Sequence, residues 1–289
     1  MNTTRTVTVL GGDTRQIYAA ERLGELGYSV RMYGFDDTSK PIRQPKAVSL
    51  EQALESEIIL LPLPVSKNNK TLNASFAERE IYLKDLLDAM PYGKLVLTGM
   101  AGEGFIRELL GTGAQPMDYF RREELTVKNA LLTAEGIVGI VTEKLPVAVF
   151  GLRAAVTGYG RVGFFTAKLL KALGADVTVF ARDPVQRVKA ETAGMKAKPL
   201  TTLQKEIGEF SCVINTVPAP VITAQTVAAS APDCLFIESA SAPYGIDFDA
   251  CRVSGRNLVK AFSLPGKTSP KTAGIMIADT AHDMIGEVT

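Results

Sequence analysis

Three glycines in the segment GYGRVG, Gly158, Gly160 and Gly163, have the spacing with which many chains bind a dinucleotide. Gly158 would permit the tight turn after a strand, Gly160 would let the backbone approach a pyrophosphate, and Gly163 would let helix and strand pack closely. The N-terminus of the following helix adds amide donors and a positive dipole. Because a β-branched run precedes the segment and an amphipathic pattern follows it, we expect a dinucleotide site here rather than a turn without a ligand.

The residues after the second strand of this unit indicate which dinucleotide binds. Sites selective for NAD usually have a carboxylate at the strand end for the ribose 2′-hydroxyl, whereas an arginine accommodates the 2′-phosphate of NADP. Here Ala181 occupies the carboxylate position and Arg182 follows it. Asp183 is expected to cap the helix that begins at Pro184. The sequence therefore favours NADP, with NAD as the alternative.

An earlier segment, VLGGDTRQ, repeats the pattern and keeps only the first of the three glycines, Gly11. Asp13 and Gln16 stand where the second and third glycines would be. A carboxylate beside the pyrophosphate position opposes nucleotide binding, and Gln16 is expected to hold helix and strand apart. We therefore expect the same local fold with a different ligand: either Asp13 and Arg15 face a small polar substrate across a cleft, or they are a helix cap and a solvated side chain.

Strands and helices alternate along the chain, which predicts parallel sheets. The predicted fold class is α/β, with two Rossmann-like doubly wound parallel-sheet domains joined by crossing helices. The predicted boundaries are 1–125, with helix 270–289 packing back, 126–145 for the crossing helix, and 146–269 for the dinucleotide-binding domain. Strands are predicted near 6–10, 29–33, 57–63, 94–98, 116–120, 212–217, 234–239 and 257–262, and the helices include 75–90 and 122–146.

Ligands of open parallel sheets bind at the carboxyl ends of the strands, so the loops after the later strands are expected to border the nicotinamide. Ser269 before Pro270 has the pattern of a helix start and places Lys271 in the first turn of the last helix. The residues predicted to bind the cofactor are Gly158, Tyr159, Gly160, Arg161, Val162, Gly163, Ala181, Arg182, Asp183, Asn215, Thr216, Val217, Pro218, Ser239 and Ala240.

Composition argues against several classes of function. The chain has 289 residues, a net charge of +1 and no basic run, so neither nucleic acid nor a membrane surface is a predicted partner. One histidine, His282, and three cysteines without paired spacing leave no metal cluster and no Ser/His/Asp triad to propose. The sequence shows no leader and no apolar stretch near the roughly 20 residues of a membrane helix, so we expect a cytoplasmic protein.

Six segments together resemble one family, the A subunit of dipicolinate synthase from spore-forming bacteria. They follow each other in order over nearly the whole chain, which makes the resemblance specific. The segments are VLGGDTRQ (9–16), LPLPVS (61–66), TAEG (133–136), GYGRVG (158–163), VINTVP (213–218) and LPGKTSPKTAG (264–274).

The resemblance implies a reaction that the residues alone do not name. It implies oxidation of a dihydrodipicolinate-type precursor to dipicolinate, pyridine-2,6-dicarboxylate, with NADP as hydride acceptor. It also implies work in the mother cell during sporulation together with a flavoprotein-like B subunit. We further expect the chain to form a homo-oligomer.

A dicarboxylate substrate would need cationic and hydrogen-bonding groups, and the loss of a proton would need an acceptor. Each candidate residue also has an ordinary structural explanation. The candidates for substrate binding are Arg15, Ser66, Asn68, Asn129, Thr133 and Lys271, and those for catalysis are Glu135, Lys271 and Asp13.

Two other functions are compatible with this pattern. A D-2-hydroxy acid dehydrogenase would share two such domains, but that chemistry needs a positioned histidine, and His282 lies in the terminal helix. A non-catalytic, NADP-binding regulatory subunit is the second alternative, because no single catalytic residue stands out.

Overall fold

A computed structural model describes residues 4–288 of the chain. These residues form two α/β units: the first runs through Lys128 and resumes at Ser269, and the second is Asn129–Thr268. The first half of the chain contains β1 (Thr6–Leu10), α1 (Thr14–Glu25), β2 (Ser29–Tyr33), α2 (Leu50–Ala53), β3 (Ile58–Leu60), α3 (Leu83–Asp88), β4 (Leu95–Thr98), α4 (Glu103–Gly111), β5 (Gln115–Asp118) and α5 (Glu123–Lys144). The second half contains β6 (Arg153–Thr157), α6 (Arg161–Ala172), β7 (Asp176–Ala181), α7 (Pro184–Thr192), β8 (Lys196–Pro199), α8 (Leu203–Glu206), β9 (Cys212–Asn215), α9 (Ala224–Ala228), β10 (Leu235–Glu238), α10 (Phe248–Val253), β11 (Asn257–Lys260), α11 (Leu264–Thr268) and α12 (Pro270–Glu287).

The first unit is a five-stranded parallel sheet in the order β2-β1-β3-β4-β5. Its strands alternate between two cores, as a sheet with both faces covered requires. Ile58 and Leu60 of β3 contribute to one core, and Ile59 contributes to the other. The first core includes residues of α1 and α12, and the second includes residues of α2, α3 and α4.

The second unit is a six-stranded parallel sheet in the order β11-β10-β9-β6-β7-β8. The direction of strand addition reverses between β6 and β9. This is the doubly wound order in which ligands bind at the carboxyl edge beside the reversal. Ala154 and Val156 of β6 contribute to one core and Ala155 to the other, so both faces of the sheet are covered.

The helix predicted over 75–90 is wrong for its first half, because only Leu83–Asp88 is helical. The preceding residues instead form hydrogen bonds with backbone groups that follow β1 and β2. The amide of Ser75 donates to the carbonyl of Gly12 at 2.9 Å, and the carbonyl of Phe76 accepts from Asp36 and Asp37. The Phe76 ring also packs against the first core. Pairing with distant segments therefore overrides the local helical pattern.

Several predicted strands are shorter in the structure. β3 ends at Leu60 instead of residue 63, because the prolines that follow have no amide to donate to a ladder. β5 ends at Asp118 and continues as a 3₁₀ turn, Tyr119–Arg121. The edge strand Lys196–Pro199 was not predicted, since its sequence KAKP lacks an alternating apolar pattern.

The long helix predicted over 122–146 is present as α5, which ends at Lys144, shortly before Pro146. By length and composition alone, this helix could cross a membrane, since its most apolar window has a mean hydropathy of 1.3. The expectation that no apolar stretch approaches that length is therefore wrong. The observation is weak evidence for a membrane span, because core helices of other proteins pass the same test, and 39% of the window is buried.

Candidate functional site

The second glycine turn has the backbone geometry that its spacing predicts. Gly158 has φ +81°, which favours glycine. A Cβ at Gly163 would lie 2.5 Å from the carbonyl oxygen of Gly158, so the close approach of α6 to the turn requires a residue without a side chain. A Cβ at Gly160 would meet no atom within 4 Å. Gly160 thus leaves open space at the start of α6.

The N-terminus of α6 is suited to an anion. Gly160 is the N-cap residue and supplies no side-chain cap, and the first turn of this 12-residue helix contains no acidic residue. The first turn of α6 therefore places no carboxylate of its own against the positive end of the helix dipole. A bare cap and an open glycine fit the pyrophosphate of a dinucleotide.

The end of β7 is where the ribose of a dinucleotide would lie in this fold. Ala181 is buried, Arg182 is exposed, and Asp183 caps α7 by accepting a hydrogen bond from the amide of Val185 at 2.8 Å, as predicted. Arg187 was not singled out from the sequence. Its Nη1 donates to the carbonyls of Ala181 and Arg182 at 2.9 and 2.7 Å. A second cation therefore lies at this strand end.

The side chain of Tyr159, predicted among the cofactor residues, lies in the hydrophobic core. Burial raises the pKa of its hydroxyl, which has no hydrogen-bond partner among the described residues. Its amide donates to Oε1 of Gln186 at 3.1 Å and so connects the glycine turn to α7. Val162 likewise packs against the core, whereas Arg161 is exposed. The side chain of Tyr159 is thus not available to a ligand.

A buried polar network joins the carboxyl ends of three neighbouring strands of the second unit. Oγ1 of Thr157 donates to Oδ1 of Asn215 at 2.6 Å, and Nδ2 of Asn215 donates to Oε1 of Glu238 at 2.7 Å. Asn215, predicted to bind the cofactor, therefore commits its side chain to the protein. Thr216 donates to the carbonyl of Thr157 at 2.7 Å, and Ser239 donates to the carbonyl of Asn215 at 3.0 Å.

Among the remaining predicted loop residues, Val217 is half-buried, Pro218 is exposed and Ala240 is buried. The sequence pattern did not reveal Glu238, which is fully buried. The available signal was a carboxylate at the end of the otherwise apolar strand CLFIE, where a charge is unexpected without partners. Arg187 gave a weaker signal, as a basic residue in the helix after the ribose strand.

The first glycine turn is filled by its own side chains. Asp13 caps α1 and forms a bidentate ion pair with Arg15, with Nη2–Oδ2 and Nε–Oδ1 distances of 2.8 and 2.9 Å. Arg15 also donates to the carbonyl of Leu63 and is only 5% exposed, so it is not a solvated side chain. Oε1 of Gln16 accepts from the amide of Asp13 at 3.1 Å and completes a capping box. This turn offers an ion pair where the second turn offers bare backbone.

Ser66 and Asn68, predicted to bind substrate, hold their own loop together. Oγ of Ser66 donates to the carbonyl of Thr71 at 2.6 Å, and Oδ1 of Asn68 accepts from the amides of Lys70 and Thr71, each at 2.9 Å. Neither has a hydrogen bond to Arg15 among the described residues. Ser66 also lines a cavity of about 880 Å³ in the first unit, beside Lys70 and Lys84.

The other predicted substrate and catalytic residues lie on two helices. On α5, Oγ1 of Thr133 donates to the carbonyl of Asn129 at 2.8 Å, and Glu135 is exposed, without an ion pair among the described residues. Lys271 is exposed in the first turn of α12, which begins at Pro270 as predicted. α12 packs closely on α1, since a Cβ at Gly274 would overlap the carbonyl oxygen of Arg15. Lys271 therefore lies one turn away from the contact with Arg15.

The remaining titratable groups offer no metal site in the described part of the chain. His282 lies towards the end of α12, and its Nδ1 is 2.9 Å from the hydroxyl of Tyr28. All three cysteines are buried free thiols. Burial raises the pKa of Cys234 to about 12 and that of Cys251 to about 11, so neither is a reactive thiolate at neutral pH.

Several known proteins are similar to this chain. The family of the N-terminal domain of the dipicolinate synthase A subunit matches residues 6–120. A crystal structure of the A subunit of dipicolinate synthase from Bacillus halodurans is similar with a TM-score of 0.87 and 27% sequence identity, covering 98% of each chain. Residues 6–120 belong to the family of that N-terminal domain, and nearly the whole chain is similar to dipicolinate synthase A subunits.

The dipicolinate synthase A subunit of Bacillus subtilis (strain 168) is similar along almost the same length. It is 25% identical over 286 residues, which are 98% of this chain and 96% of the relative. Transhydrogenase from Sinorhizobium meliloti has a TM-score of 0.73 at 15% identity, with 97% of this chain and 94% of that chain covered. At that identity the likeness shows the fold alone. It is the predicted fold, with two Rossmann-like parallel-sheet domains.

Proposed function

We propose that the chain is an oxidoreductase that binds a nicotinamide dinucleotide at Gly158–Gly163 and oxidises a dihydrodipicolinate-type precursor to dipicolinate. The contrast between its two glycine turns is the observation on which this proposal depends. One turn has an open glycine at the helix cap, and the other has Asp13, paired with Arg15, at the same position. A dinucleotide pyrophosphate fits the first arrangement and is repelled by the carboxylate of the second.

NADP is the proposed cofactor, with NAD as the alternative. The support is electrostatic, because Arg182 is exposed at the ribose end and Arg187 is bonded to the same strand end. Ala181 contributes no carboxylate that would bind a 2′-hydroxyl or repel a 2′-phosphate. Arginine is also the side chain best suited to bidentate phosphate recognition.

The chemistry requires little from acid or base groups. When bound, the nicotinamide accepts a hydride from a ring carbon of the substrate. The ring also loses a proton and becomes aromatic, which drives the reaction. The chain's residues then have to orient the ring and bind its two carboxylates. We propose Lys271, which is exposed and has no ion pair among the described residues, for one of the carboxylates. Arg15, paired with Asp13, is a weaker candidate, as are Ser66, Asn68 and Thr133, because the polar side-chain atoms of all four have partners within the protein. Asn129 remains a candidate through its side chain.

We propose Glu135 as the proton acceptor among the three catalytic candidates. Its carboxylate is exposed, whereas both oxygens of Asp13 bind Arg15. Protonation of Asp13 would therefore disrupt an ion pair to a buried arginine, which is unfavourable. Lys271, being cationic, is better suited to binding a carboxylate than to accepting a proton.

The relatives are named as one of the subunits of a synthase, which supports a partner for this chain. We propose that a B subunit works with it in the cytoplasm of a sporulating mother cell, and that the chain forms a homo-oligomer. Neither alternative function has a supporting observation. The histidine that a 2-hydroxy acid dehydrogenase would need is engaged with Tyr28 on the last helix. A regulatory protein would bind NADP without turnover, so a turnover measurement distinguishes it.

The test is hydride transfer by the purified chain, alone and with its B subunit. Freshly generated dihydrodipicolinate is mixed with NADP or NAD, and the amounts of reduced cofactor and of dipicolinate formed are measured. We expect the two amounts to be equal. We expect turnover with NADP to exceed turnover with NAD. Binding of NADP without turnover in either mixture would contradict the enzymatic proposal and favour the regulatory alternative. Turnover of 2-hydroxy acids instead would favour the dehydrogenase alternative.

A further inference from the structure

Glu238 is a buried carboxylate that the proposed chemistry does not use. It ends β10, has no exposed surface, and accepts four hydrogen bonds. Oε1 accepts from Nδ2 of Asn215 at 2.7 Å and from the amide of Ala240 at 2.9 Å. Oε2 accepts from the amides of Gly245 and Ile246 at 2.8 and 2.9 Å. Such complete satisfaction is what a buried carboxylate needs.

The four bonds fix the loop 239–246, which follows β10 at the carboxyl edge of the sheet. Ala240 is bound at its start, and Gly245 and Ile246 at its end. The same loop contains Tyr244 at φ +64°, whose ring stacks on Phe262 at a centroid distance of 5.1 Å. One carboxylate therefore closes both ends of a loop that would otherwise have several free amides.

The network also reaches the glycine turn. Asn215 connects Glu238 to Thr157, which directly precedes Gly158. The side-chain amide of Asn215 also lies against Gly245, since a Cβ on Gly245 would be only 2.3 Å from Nδ2 of Asn215. The order of strands places these groups at β6, β9 and β10, on both sides of the reversal where a dinucleotide lies across the sheet. In such a fold the carboxyl ends of β6 and β7 would receive the adenosine half, and the loops after β9 and β10 would border the nicotinamide half.

We propose that Glu238 is a positioning residue for the nicotinamide half of the dinucleotide, because it holds the 239–246 loop and Asn215 in register with the glycine turn. The inference rests on the proposed nucleotide site. Glu238 touches no ligand in this proposal and acts through the loop. Loss of its charge should therefore weaken the contribution of the nicotinamide ring to affinity while the adenosine half still binds.

Glu238→Gln tests the role with a nearly isosteric side chain. A glutamine has one acceptor oxygen and one NH2 donor group. In either orientation its NH2 group faces donors, which are the amides of Gly245 and Ile246 or the amide of Ala240 and Nδ2 of Asn215. The loop must then shift to relieve this conflict.

Gly245→Ala is a second variant that moves the same loop without changing the carboxylate, because its Cβ would overlap Asn215. Ser230→Ala is the matched control. Ser230 is buried, donates to the carbonyl of Val227 at 2.7 Å and accepts from Arg256 at 3.0 Å. It precedes β10 and so lies at the opposite edge of the same sheet. Its loss removes buried hydrogen bonds of similar kind away from the loop.

The measurement is the ratio of two dissociation constants, for NADPH and for 2′-phospho-ADP-ribose, which lacks only the nicotinamide ring. Calorimetry on the full chain gives both, and thermal unfolding identifies the folded variants. We expect the preference for NADPH over the fragment to fall about tenfold in Glu238→Gln and in Gly245→Ala, and to stay unchanged in Ser230→Ala. Fragment affinity should remain within about twofold of wild type in all three.

The possible failures are distinguishable. If both folded variants keep the wild-type ratio, or if Ser230→Ala changes it equally, Glu238 is only a structural residue and the inference is wrong. If the wild-type chain binds both compounds equally, the ring has no positioned site and the inference is again wrong, although the nucleotide site stands. If the wild-type chain binds neither compound, the proposed function itself fails.

Discussion

At the scale of single residues, the glycines of the second turn have different roles, and substitutions should distinguish an effect on NADP binding from an effect on stability. Gly160→Ala adds a methyl group to open space, so the free energy of unfolding should stay within about 1 kcal/mol of wild type. The same methyl group would occupy the place of the pyrophosphate and weaken NADP binding at least about tenfold. Calorimetric titration with NADP, together with urea unfolding, checks both halves of this expectation.

Gly163→Ala is the counterpart within the same turn. Its methyl group would press against the carbonyl of Gly158 at 2.5 Å, so it should destabilise the protein by roughly 1–3 kcal/mol and also weaken binding. Gly139→Ala, on α5, adds a methyl group that meets no atom within 4 Å and serves as the control. Undiminished NADP affinity in Gly160→Ala would show that the turn is structural only.

The two arginines near the ribose end give a second prediction. Arg182→Ala should weaken NADP binding about tenfold and leave NAD binding within about twofold, because only NADP has a 2′-phosphate. Arg187→Ala should act in the same direction, since Arg187 bonds the carbonyls of Ala181 and Arg182. The dissociation constants for both nucleotides are measured side by side. Lys189→Ala, exposed on the same helix, is the control, and equal weakening of NADP and NAD by Arg182→Ala would reverse the cofactor preference.

The sequence predicted the backbone geometry of the second glycine turn but not the side-chain partners around it, and which of these residues bind a ligand stays a prediction. The glycine spacing is local, so the roles of Gly158 and Gly163 could be read directly. The partners of Asn215 and Ser66 could not, because they come from other strands or from the folded path of a loop. Glu238 was missed for the same reason, since nothing in its own segment reveals four donors.

At the scale of elements, the last helix completes the first unit by packing on its first helix. A Cβ at Gly274 would overlap the carbonyl of Arg15, so Gly274→Ala should force the two helices apart and destabilise the protein by roughly 1–3 kcal/mol. Gly24→Ala, on the partner helix α1, meets only Gln44 at 4.0 Å and should be neutral or stabilising by up to about 1 kcal/mol. Urea unfolding followed by circular dichroism compares the two. Equal stability of both variants would contradict this packing.

Elements with a clear apolar sequence pattern were predicted well, and those that depend on contacts with distant segments were not. α5 and the buried strands β1 and β9 have long or β-branched apolar patterns. The segment before α3 has a helical pattern too, but its residue Phe76 instead accepts hydrogen bonds from the amides of Asp36 and Asp37, which follow β2. Edge strand β8 lacks an apolar pattern because it is covered less than the central strands.

At the scale of the whole molecule, each hydrophobic core consists of residues from one unit, so the two units are expected to respond differently to nucleotide. All three cysteines, Cys212, Cys234 and Cys251, are buried in the second unit. Thiol labelling during urea unfolding therefore reports on that unit. NADP at about 100 times its dissociation constant should raise the free energy of unfolding of that unit, as thiol labelling reports it, by about 2.7 kcal/mol.

The thiols also predict a pH dependence. Burial raises the pKa of Cys234 to about 12 and that of Cys251 to about 11, above the ordinary value of 9.0 that they regain on unfolding. Their contribution to stability is fully present below pH 9 and is lost as the pH rises towards the folded-state values. Rapid labelling of the native protein at neutral pH would contradict the burial of the thiols. A labelling midpoint that NADP does not shift would contradict nucleotide binding by the second unit.

The ion pair in the first glycine turn has a consequence for stoichiometry. The polypeptide contains the strand-turn-helix opening twice, and a simple count of openings would allow two dinucleotides. At the earlier opening Asp13 pairs with Arg15 and its amide donates to Oε1 of Gln16, so no bare cap is left there. Each polypeptide should therefore saturate with a single molar equivalent of cofactor, so the duplicated half is free to specialise in another ligand.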